Sequence, residues 1–340
     1  MTPIGSLGLP QGWFAVAFSA ELPPGSVLAR HYFGQELVVF RTRSGAVCVM
    51  DAYCPHLGAH LGHGGEVAGE TLRCPFHHFC FDTCGDCVST PYATKIPPKA
   101  KVHVWPVQEL HGGVFVYYDA GGTAPSWEIP DRAMDGWTRP RRRTFTLRGH
   151  PQDTTENGVD LGHLGVVHGY QAVEVLQPLH TDGPHLSVRY AMRRAAGPFG
   201  LPGQQIRAEF AIHTHGLGYS FVDTWVPALQ LHTRQFVWAT PIDRTRLDLR
   251  VSLSLEDMPQ LPPVGPLLRL AARAGGRQFV AQLAWRTFLH DLQQDFPMWE
   301  RKQYVDPPAL AEGDGPIGPY RRWARQFYPQ SPPVPAGGSS

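Results

Sequence analysis

Short runs of apolar and β-branched residues, separated by Gly, Pro and Ser, dominate the first third of the chain. Runs of this kind predict strands at 13–18, 36–42, 46–53, 101–110 and 113–119. His111, Gly112 and Gly113 predict the turn between the last two runs. We therefore expect a small all-β domain over residues 1–120, followed by a Gly- and Pro-containing linker at 121–132.

The second part of the chain, residues 121–340, shows a different pattern. Longer β-like runs lie at 186–192, 206–212, 219–226, 234–240 and 246–255. Val280, Ala284, Phe288 and Leu292 recur every fourth residue and predict a helix over about 276–296. A second, glycine-containing helical pattern covers 153–170. The patterns in the two parts of the chain therefore predict an α+β protein whose second domain combines an antiparallel sheet with long helices.

Two further segments carry weaker signals. The basic run at 139–143 favours a solvated face or a strand edge over a docking patch for a partner. The tail at 331–340 is rich in Pro, Gly and Ser, so we expect it to be frayed.

Composition and charge restrict the function. Of 340 residues, 42% are hydrophobic and 17% charged, and the net charge is +1, so a globular fold is expected and nucleic acid is not an expected partner. We find no apolar stretch long enough to span a bilayer and no secretory signal, so we expect a cytoplasmic protein. The 17 histidines call for a metal or proton-transfer role.

The cysteines indicate a metal site. Five of the six lie between Cys54 and Cys87, where clustering favours metal over disulfides. Cys54-x-His56 and Cys74-x2-His77 each supply one thiolate and one imidazole. Two Cys and two His can hold zinc, but one ligand of each kind on each arm favours a Rieske [2Fe–2S] cluster.

The remaining His and Cys residues of this region have structural interpretations. His60, His63 and His78 break the ligand spacing and are interpreted as loop residues, and Cys84 and Cys87 as part of a packed turn. Cys48 and Cys80 are interpreted as small strand hydrophobes.

A second group of candidate ligands follows the frame Glu156-x3-Asp160-x2-His163-x4-His168. On a regular helix the two imidazoles diverge, so they converge only if the helix widens or breaks, which the nearby glycines favour. Two histidines and one carboxylate form the facial triad of non-haem iron oxygenases. Asp291 and Asp295 both fit the periodicity of the late helix as the third ligand.

The two motifs together resemble the Rieske non-haem iron oxygenases, and the resemblance extends from about Gly12 to Tyr328. The stretches CPHLGAHLGHGG and LRCPFHHFCFD resemble the oxygenase branch of Rieske domains, with His78 in place of a Gly usual in the family. The segments QQDFPMWERKQYVDPPAL and DGPIGPYRRWARQFY are similar to the C-terminal part of 3-ketosteroid 9α-hydroxylase oxygenases and Neverland-type cholesterol 7-desaturases. That similarity points to Asp295 as the iron ligand.

The resemblance implies a fold and a mechanism. The fold is an N-terminal Rieske [2Fe–2S] domain and a helix-grip (START-like) catalytic domain with a mononuclear Fe(II). Electrons from NAD(P)H reach the protein through a separate ferredoxin or flavin reductase, and O2 is the co-substrate. The cluster of a neighbouring subunit serves the iron through an aspartate that matches Asp160, which implies a homotrimer. Glu156, one turn before Asp160, is a candidate to support the metal ligands or to relay protons.

Three functions follow from these observations. The first is hydroxylation or desaturation of a hydrophobic, steroid- or sterol-like substrate. The second is oxidation of a smaller aromatic acid or natural-product intermediate. The third, a non-catalytic electron carrier, conflicts with the intact second iron motif.

Overall fold

The protein is described from a computed structural model, which covers residues 7–196, 203–256 and 266–329. The tail predicted to be frayed, 331–340, lies outside these residues. No helix in the covered ranges is long and apolar enough to cross a membrane.

The N-terminal domain consists of three small antiparallel sheets, with strand orders β1-β10-β9, β2-β3-β4 and β5-β6-β7-β8. Of the predicted strand at 101–110 only the last four residues form a continuous strand, because Pro106 has no N–H to donate, and the first part makes isolated bridges at Lys101 and Val104. The turn at His111 and Gly112 is confirmed, with positive φ at both residues. The strands are β1 (Gly12–Phe18), β2 (Val27–Tyr32), β3 (Gln35–Arg41), β4 (Val47–Asp51), β5 (Glu66–Ala68), β6 (Thr71–Arg73), β7 (Cys80–Phe81), β8 (Cys87–Ser89), β9 (Val107–Leu110) and β10 (Gly113–Tyr118).

A seven-stranded antiparallel sheet forms the second domain, with the order β11-β17-β16-β15-β14-β13-β12. The pattern missed β12, an edge strand with an internal Pro178 and an irregular register. The basic run enters β11, which is the opposite edge, as one of its two interpretations predicted. The strands are β11 (Arg141–Arg148), β12 (Gln171–Asp182), β13 (His185–Ala195), β14 (Gln205–His215), β15 (Tyr219–Val226), β16 (Leu231–Pro241) and β17 (Arg246–Leu255).

Among the covered residues only α3 (Pro266–Trp299) is long, and it is interrupted at Gly276. The expectation of several long helices is therefore wrong, although the α+β class and the two domain types are confirmed. The helical pattern at 153–170 forms two short helices, α1 (Pro151–Glu156) and α2 (Gly162–Val166). The chain leaves the helix between them because the Leu161 N–H donates to the carbonyl of Asp314. The last helix is α4 (Ile317–Ala324).

Each face of the large sheet is covered by a different partner. On one face Ala284, Trp285 and Leu292 of α3 pack against leucine and valine side chains of β17. On the other face aromatic residues of β1 and β10 pack against β15 and β16, with Phe115 edge-on to Trp238 at 4.9 Å between ring centroids. The large sheet is thus the common wall of both domains, and the space beside α3 can hold a site.

Candidate active site

His163, His168 and Asp295 converge at one end of the large sheet. Their candidate ligand atoms all lie within 4.8 Å of one another, and His168 Nε2 is 3.4 Å from a carboxylate oxygen of Asp295. The two imidazole rings converge because α2 ends at Val166, so His168 lies beyond the helix. The helix break expected from the five-residue spacing is therefore present.

Each of the two imidazoles uses its Nδ1 atom in a hydrogen bond, which leaves the Nε2 atom of each ring available as a ligand. His163 Nδ1 donates to the main-chain carbonyl of Asp160 at 2.7 Å, and His168 Nδ1 donates to the side-chain oxygen of Gln294 at 2.8 Å. Both Nε2 atoms therefore carry lone pairs, as metal-binding histidines require. Gln294 was missed in the sequence, where it is only one polar residue beside the apolar face of a helix.

Asp291 and Asp295, which helical periodicity does not separate, have different partners. Asp291 accepts hydrogen bonds from Arg194 at 2.6 Å and from the Tyr170 hydroxyl at 2.9 Å. Asp295 is 5% exposed and accepts only from the Asn157 amide at 3.1 Å within the part of the chain described. Burial raises the pKa of Asp295, which the two histidines oppose. A cation beside Asp295 would offset this burial.

The two acids of the sequence frame are placed differently. The Asp160 carboxylate accepts from the main-chain N–H of His163 at 3.2 Å, and it is 3.8 Å from Nδ1 of that ring. Burial alone raises the pKa of Asp160, but hydrogen bonds from His163 lower the pKa overall. Glu156 accepts two hydrogen bonds from Arg321 of α4, at 2.7 and 2.9 Å. The expectation that Glu156, Asp160 and His163 lie along one side of a single helix is wrong, because the chain leaves the helix after Glu156.

A cavity of about 260 Å³ opens onto the two histidines and Asp295. Its walls come from α3 and from one face of β13 to β17, and most of its lining is aliphatic or aromatic. Arg194 is the lining cation, and it is neutralised by Asp291. Such a cavity suits an apolar molecule placed beside a metal ion.

The other predicted ligands lie on two loops at the exposed tip of the first domain. Cys54 and Cys74 are buried, and the rings of His56 and His77 are 4.6 Å apart between centroids. The two loops share one backbone pattern. In each, the cysteine N–H donates to the carbonyl five residues on, and its carbonyl accepts from the N–H four residues on. The four side chains therefore converge as two equivalent pairs.

The donor set of each site fits the group that the sequence predicts. His56 Nδ1 is buried and has no hydrogen-bond partner among the covered residues, which leaves this nitrogen available as a metal ligand. Two thiols and two imidazoles suit a Rieske cluster. Two imidazoles and one buried carboxylate suit a mononuclear iron. Fold and site together define a Rieske non-haem iron oxygenase.

Comparison with known proteins supports this class. Residues 12–106 match the Rieske [2Fe-2S] domain, and residues 116–328 match the 3-Ketosteroid 9alpha-hydroxylase C-terminal domain. The chain is 32% identical to cholesterol 7-desaturase nvd 1 of Ciona intestinalis, over 95% of this chain and 70% of that protein. It is 28% identical to a probable 3-ketosteroid-9-alpha-monooxygenase oxygenase component of Rhodococcus rhodochrous, over 94% of this chain and 79% of that protein.

The fold is also found in a solved structure of dicamba monooxygenase with non-heme iron and dicamba. The TM-score is 0.63 at 19% identity, covering 95% of this chain and 98% of that one. The chain belongs to the family of Rieske oxygenases that carry the 3-ketosteroid 9α-hydroxylase C-terminal domain. Its cofactors are a Rieske [2Fe–2S] cluster and a mononuclear non-haem iron.

Proposed function

We propose that this oxygenase hydroxylates or desaturates a steroid- or sterol-like substrate. The observation that carries the proposal is the apolar cavity that opens directly onto His163, His168 and Asp295. Relatives named for cholesterol and for 3-ketosteroids, similar over nearly the whole chain, favour this substrate class over smaller aromatic acids. A separate ferredoxin or flavin reductase supplies the electrons from NAD(P)H, as the name of the 3-ketosteroid relative suggests.

In this proposal His163, His168 and Asp295 hold the iron, and Cys54, His56, Cys74 and His77 hold the cluster. The main-chain carbonyl of Asp160 and the Gln294 amide orient the two imidazoles. An iron held by these residues would supply O2 activation, and a cluster held at the first site would supply single electrons. The aliphatic walls exclude water and hold the substrate beside the two histidines. Arg194 pairs with Asp291 at 2.6 Å, so this carboxylate has a partner other than the metal.

Asp160 is proposed to link two subunits of a homotrimer. Its side chain is 38% exposed although it lies beside His163. Val166 on the same segment is 88% exposed, and the cluster tip exposes Leu57 and Phe76 at 65% and 61%. Exposed apolar residues on the Asp160 segment and on the cluster loops suit an interface between copies of the chain. The relay role of Glu156, the division at residue 120 and a cytoplasmic location stay predictions.

The substrate class can be tested with a panel of sterols, 3-ketosteroids and aromatic acids. With a surrogate reductase, we expect NAD(P)H consumption that depends on a steroid or sterol. Mass spectrometry then distinguishes one added oxygen from the loss of two hydrogens. Turnover of aromatic acids with no steroid oxidised would replace this proposal by the smaller-substrate alternative.

The electron route can be tested by mixing two inactive variants. Cys54→Ser removes a predicted cluster ligand, and Asp295→Ala removes a predicted iron ligand. In a ring that passes electrons between neighbours, each interface pairs the cluster of one subunit with the iron of the next. With random mixing, roughly one interface in four has both groups working, so co-expression restores roughly a quarter of the activity. No restored activity in hetero-oligomers of confirmed composition would show that each chain uses its own cluster.

Asp160→Asn provides the residue-level test of the same route. Asn has one acceptor oxygen, which the main-chain N–H of His163 uses, so it presents its NH2 group to an imidazole N–H of the neighbouring subunit. We expect both metal sites to be kept and cluster reoxidation in a single turnover to be slowed severely. Reoxidation at the wild-type rate would leave Asp160 with a structural role only.

A further inference from the structure

Three buried polar side chains form a chain of hydrogen bonds on the floor of the cavity. Thr224 on β15 and Thr233 and Gln235 on β16 all line the cavity, and each is less than 9% exposed. Their neighbours on the same face are apolar, such as Val222 and Leu231. Polar groups in such surroundings are stable only when their hydrogen bonds are made, so their presence here calls for an explanation.

The hydrogen bonds run in one direction along the three residues. The Thr224 hydroxyl donates to the side-chain oxygen of Gln235 at 3.1 Å, and the Gln235 amide donates to the Thr233 hydroxyl at 2.5 Å. Thr233 therefore still has its own hydrogen to donate, and we find no acceptor for it within 7–196, 203–256 and 266–329. The chain ends on an unused donor at Thr233, while the Thr224 oxygen can still accept.

These three hydrogen-bonded residues lie well away from the metal ligands. The Tyr170 ring contacts both His168, at 5.2 Å, and Phe210, at 6.3 Å between ring centroids. Phe210 pairs with Thr224 on the next strand, and Thr224 pairs with Thr233 on the one after. Neighbouring strands are about 4.8 Å apart, so Thr233 lies roughly 10 Å beyond Phe210 across the sheet. A rigid molecule lying across the sheet can reach both ends.

We propose that Thr224, Gln235 and Thr233 bind an oxygen substituent on the substrate ring remote from the metal, and so select the carbon that faces the metal. This inference rests on the proposed function and specifies it. A keto oxygen accepts a hydrogen bond from Thr233. A ring hydroxyl accepts from Thr233 and donates to Thr224, so 3-keto and 3-hydroxy steroids both fit.

The expected effect follows from the loss of one hydrogen bond in a buried site. An analogue that lacks the oxygen leaves the Thr233 donor without a partner, which weakens binding by about tenfold or more. Removing the Thr233 hydroxyl removes the donor to a keto oxygen, so the difference between the 3-keto ligand and the deoxy analogue is lost. A rigid substrate that has lost this contact is also oxidised at more than one position.

The test measures dissociation constants by calorimetry on the holoenzyme. The probes are a 3-keto steroid, its 3-hydroxy counterpart and the analogue without oxygen on that ring. Thr233→Val should reduce the difference between the 3-keto and the deoxy ligand to less than about twofold, and Thr233→Ser should restore it. Thr214→Val is the matched control, because Thr214 lies on the same floor but bonds to Ser220, at 3.2 Å. Cluster spectra and circular dichroism check the folding of each variant.

The outcomes separate the inference from the proposed function. If the wild type oxidises the steroids but Thr233→Val keeps the full discrimination, the inference is overturned and the proposed function stands. The inference is also overturned if Thr214→Val loses the difference between oxygenated and deoxy ligands to the same extent as Thr233→Val. The effect would then come from any polar residue on the cavity floor. If the wild type neither binds nor oxidises any member of the panel, both fall together.

Discussion

At the scale of single residues, the two cluster loops have equivalent positions filled by different amino acids. Gly58 follows Cys54 by four residues and has φ 75°, and His78 follows Cys74 by four residues and has φ 57°. In each loop this residue donates its N–H to the cysteine carbonyl. The left-handed conformation is thus required by the loop, which explains why the family usually has Gly where this chain has His78.

His78→Gly should stabilise the protein. The left-handed conformation costs a non-Gly residue about 1–2 kcal/mol, which the change to Gly relieves. Part of that gain in stability is lost because Gly has greater freedom in the unfolded chain. We expect the free energy of unfolding to rise by about 0.5–1 kcal/mol in urea denaturation of the holoprotein. His63→Gly is the control, since His63 is also exposed but has no positive φ, and it should be destabilising. Equal effects of both changes would contradict this account.

The identity of the third iron ligand belongs to the same scale. Asp295→Ala should lose the mononuclear iron and keep the cluster spectrum, because it removes the buried carboxylate 3.4 Å from His168. Asp291→Asn keeps most of the shape of the Arg194 and Tyr170 contacts and should retain all three irons per chain. Iron analysis with electron paramagnetic resonance measures both. Loss of the mononuclear iron in Asp291→Asn alone would reverse the assignment.

At the scale of elements, the segment between α1 and α2 decides how the site forms. A helix continued through 157–161 would direct His163 and His168 apart. The segment is instead held by Asp314 and Gly315 of the loop before α4. A Cβ at Gly315 would lie 2.4 Å from the Val159 carbonyl, and φ there is +89°. The path of this segment thus depends on a glycine far away in the sequence.

Gly315→Ala should be clearly more harmful than Gly313→Ala. Both glycines have positive φ, so both changes cost about 1 kcal/mol for the backbone, but Gly313 has open space around it. The contact with Val159 adds about 1–3 kcal/mol and displaces the segment that carries Asp160. We expect Gly315→Ala to lower both the stability and the mononuclear iron content, and Gly313→Ala to lower only the stability, slightly. Equal iron content in the two variants would be evidence against this role.

At the scale of the whole molecule, His111 connects the domains. It lies in the turn between β9 and β10, and its Nδ1 donates to the Tyr219 hydroxyl of the large sheet at 2.9 Å. The Arg132 N–H donates to Nε2 at 2.9 Å, so the ring is neutral. Burial lowers the pKa of His111 from 6.5 to about 4, which Asp131 opposes and Arg234 reinforces.

This pKa shift predicts a loss of stability in acid. Because the folded pKa is the lower one, the unfolded chain takes up the proton first as the pH falls below about 6.5. The stability contributed by neutral His111 is present above that pH and is lost progressively down to about pH 4. Between about pH 7 and pH 5 the loss is about 2 kcal/mol.

His111→Gln should reduce this pH dependence by the same amount in urea denaturation at the two pH values. His103→Gln, a change at an exposed histidine of the same domain, is the control and should leave the pH dependence unchanged. An unchanged pH dependence in His111→Gln would show that other histidines with lowered pKa, such as His213 and His215, carry the effect.

Local patterns in the sequence were sufficient for several features of this protein. Cys54, His56, Cys74 and His77 were predicted as one group from their spacing, since each pair lies within one short loop, and the structure brings the two pairs together. The strands β15 and β17 were predicted residue for residue, because β-branched and aromatic residues are frequent in β15 and apolar residues alternate regularly along β17. The helix break that lets His163 and His168 converge was expected from their five-residue spacing and the neighbouring glycines.

The tertiary structure alone decided which groups at the site have partners. Helical periodicity treats Asp291 and Asp295 alike, and they differ because Arg194 and Tyr170, on distant strands, bind the first. The pairing of Glu156 with Arg321, the role of Gln294 and the polar chain on the cavity floor depend in the same way on contacts across many residues. A pattern along the chain records which face of an element is buried, whereas hydrogen-bond partners are set by how the elements pack.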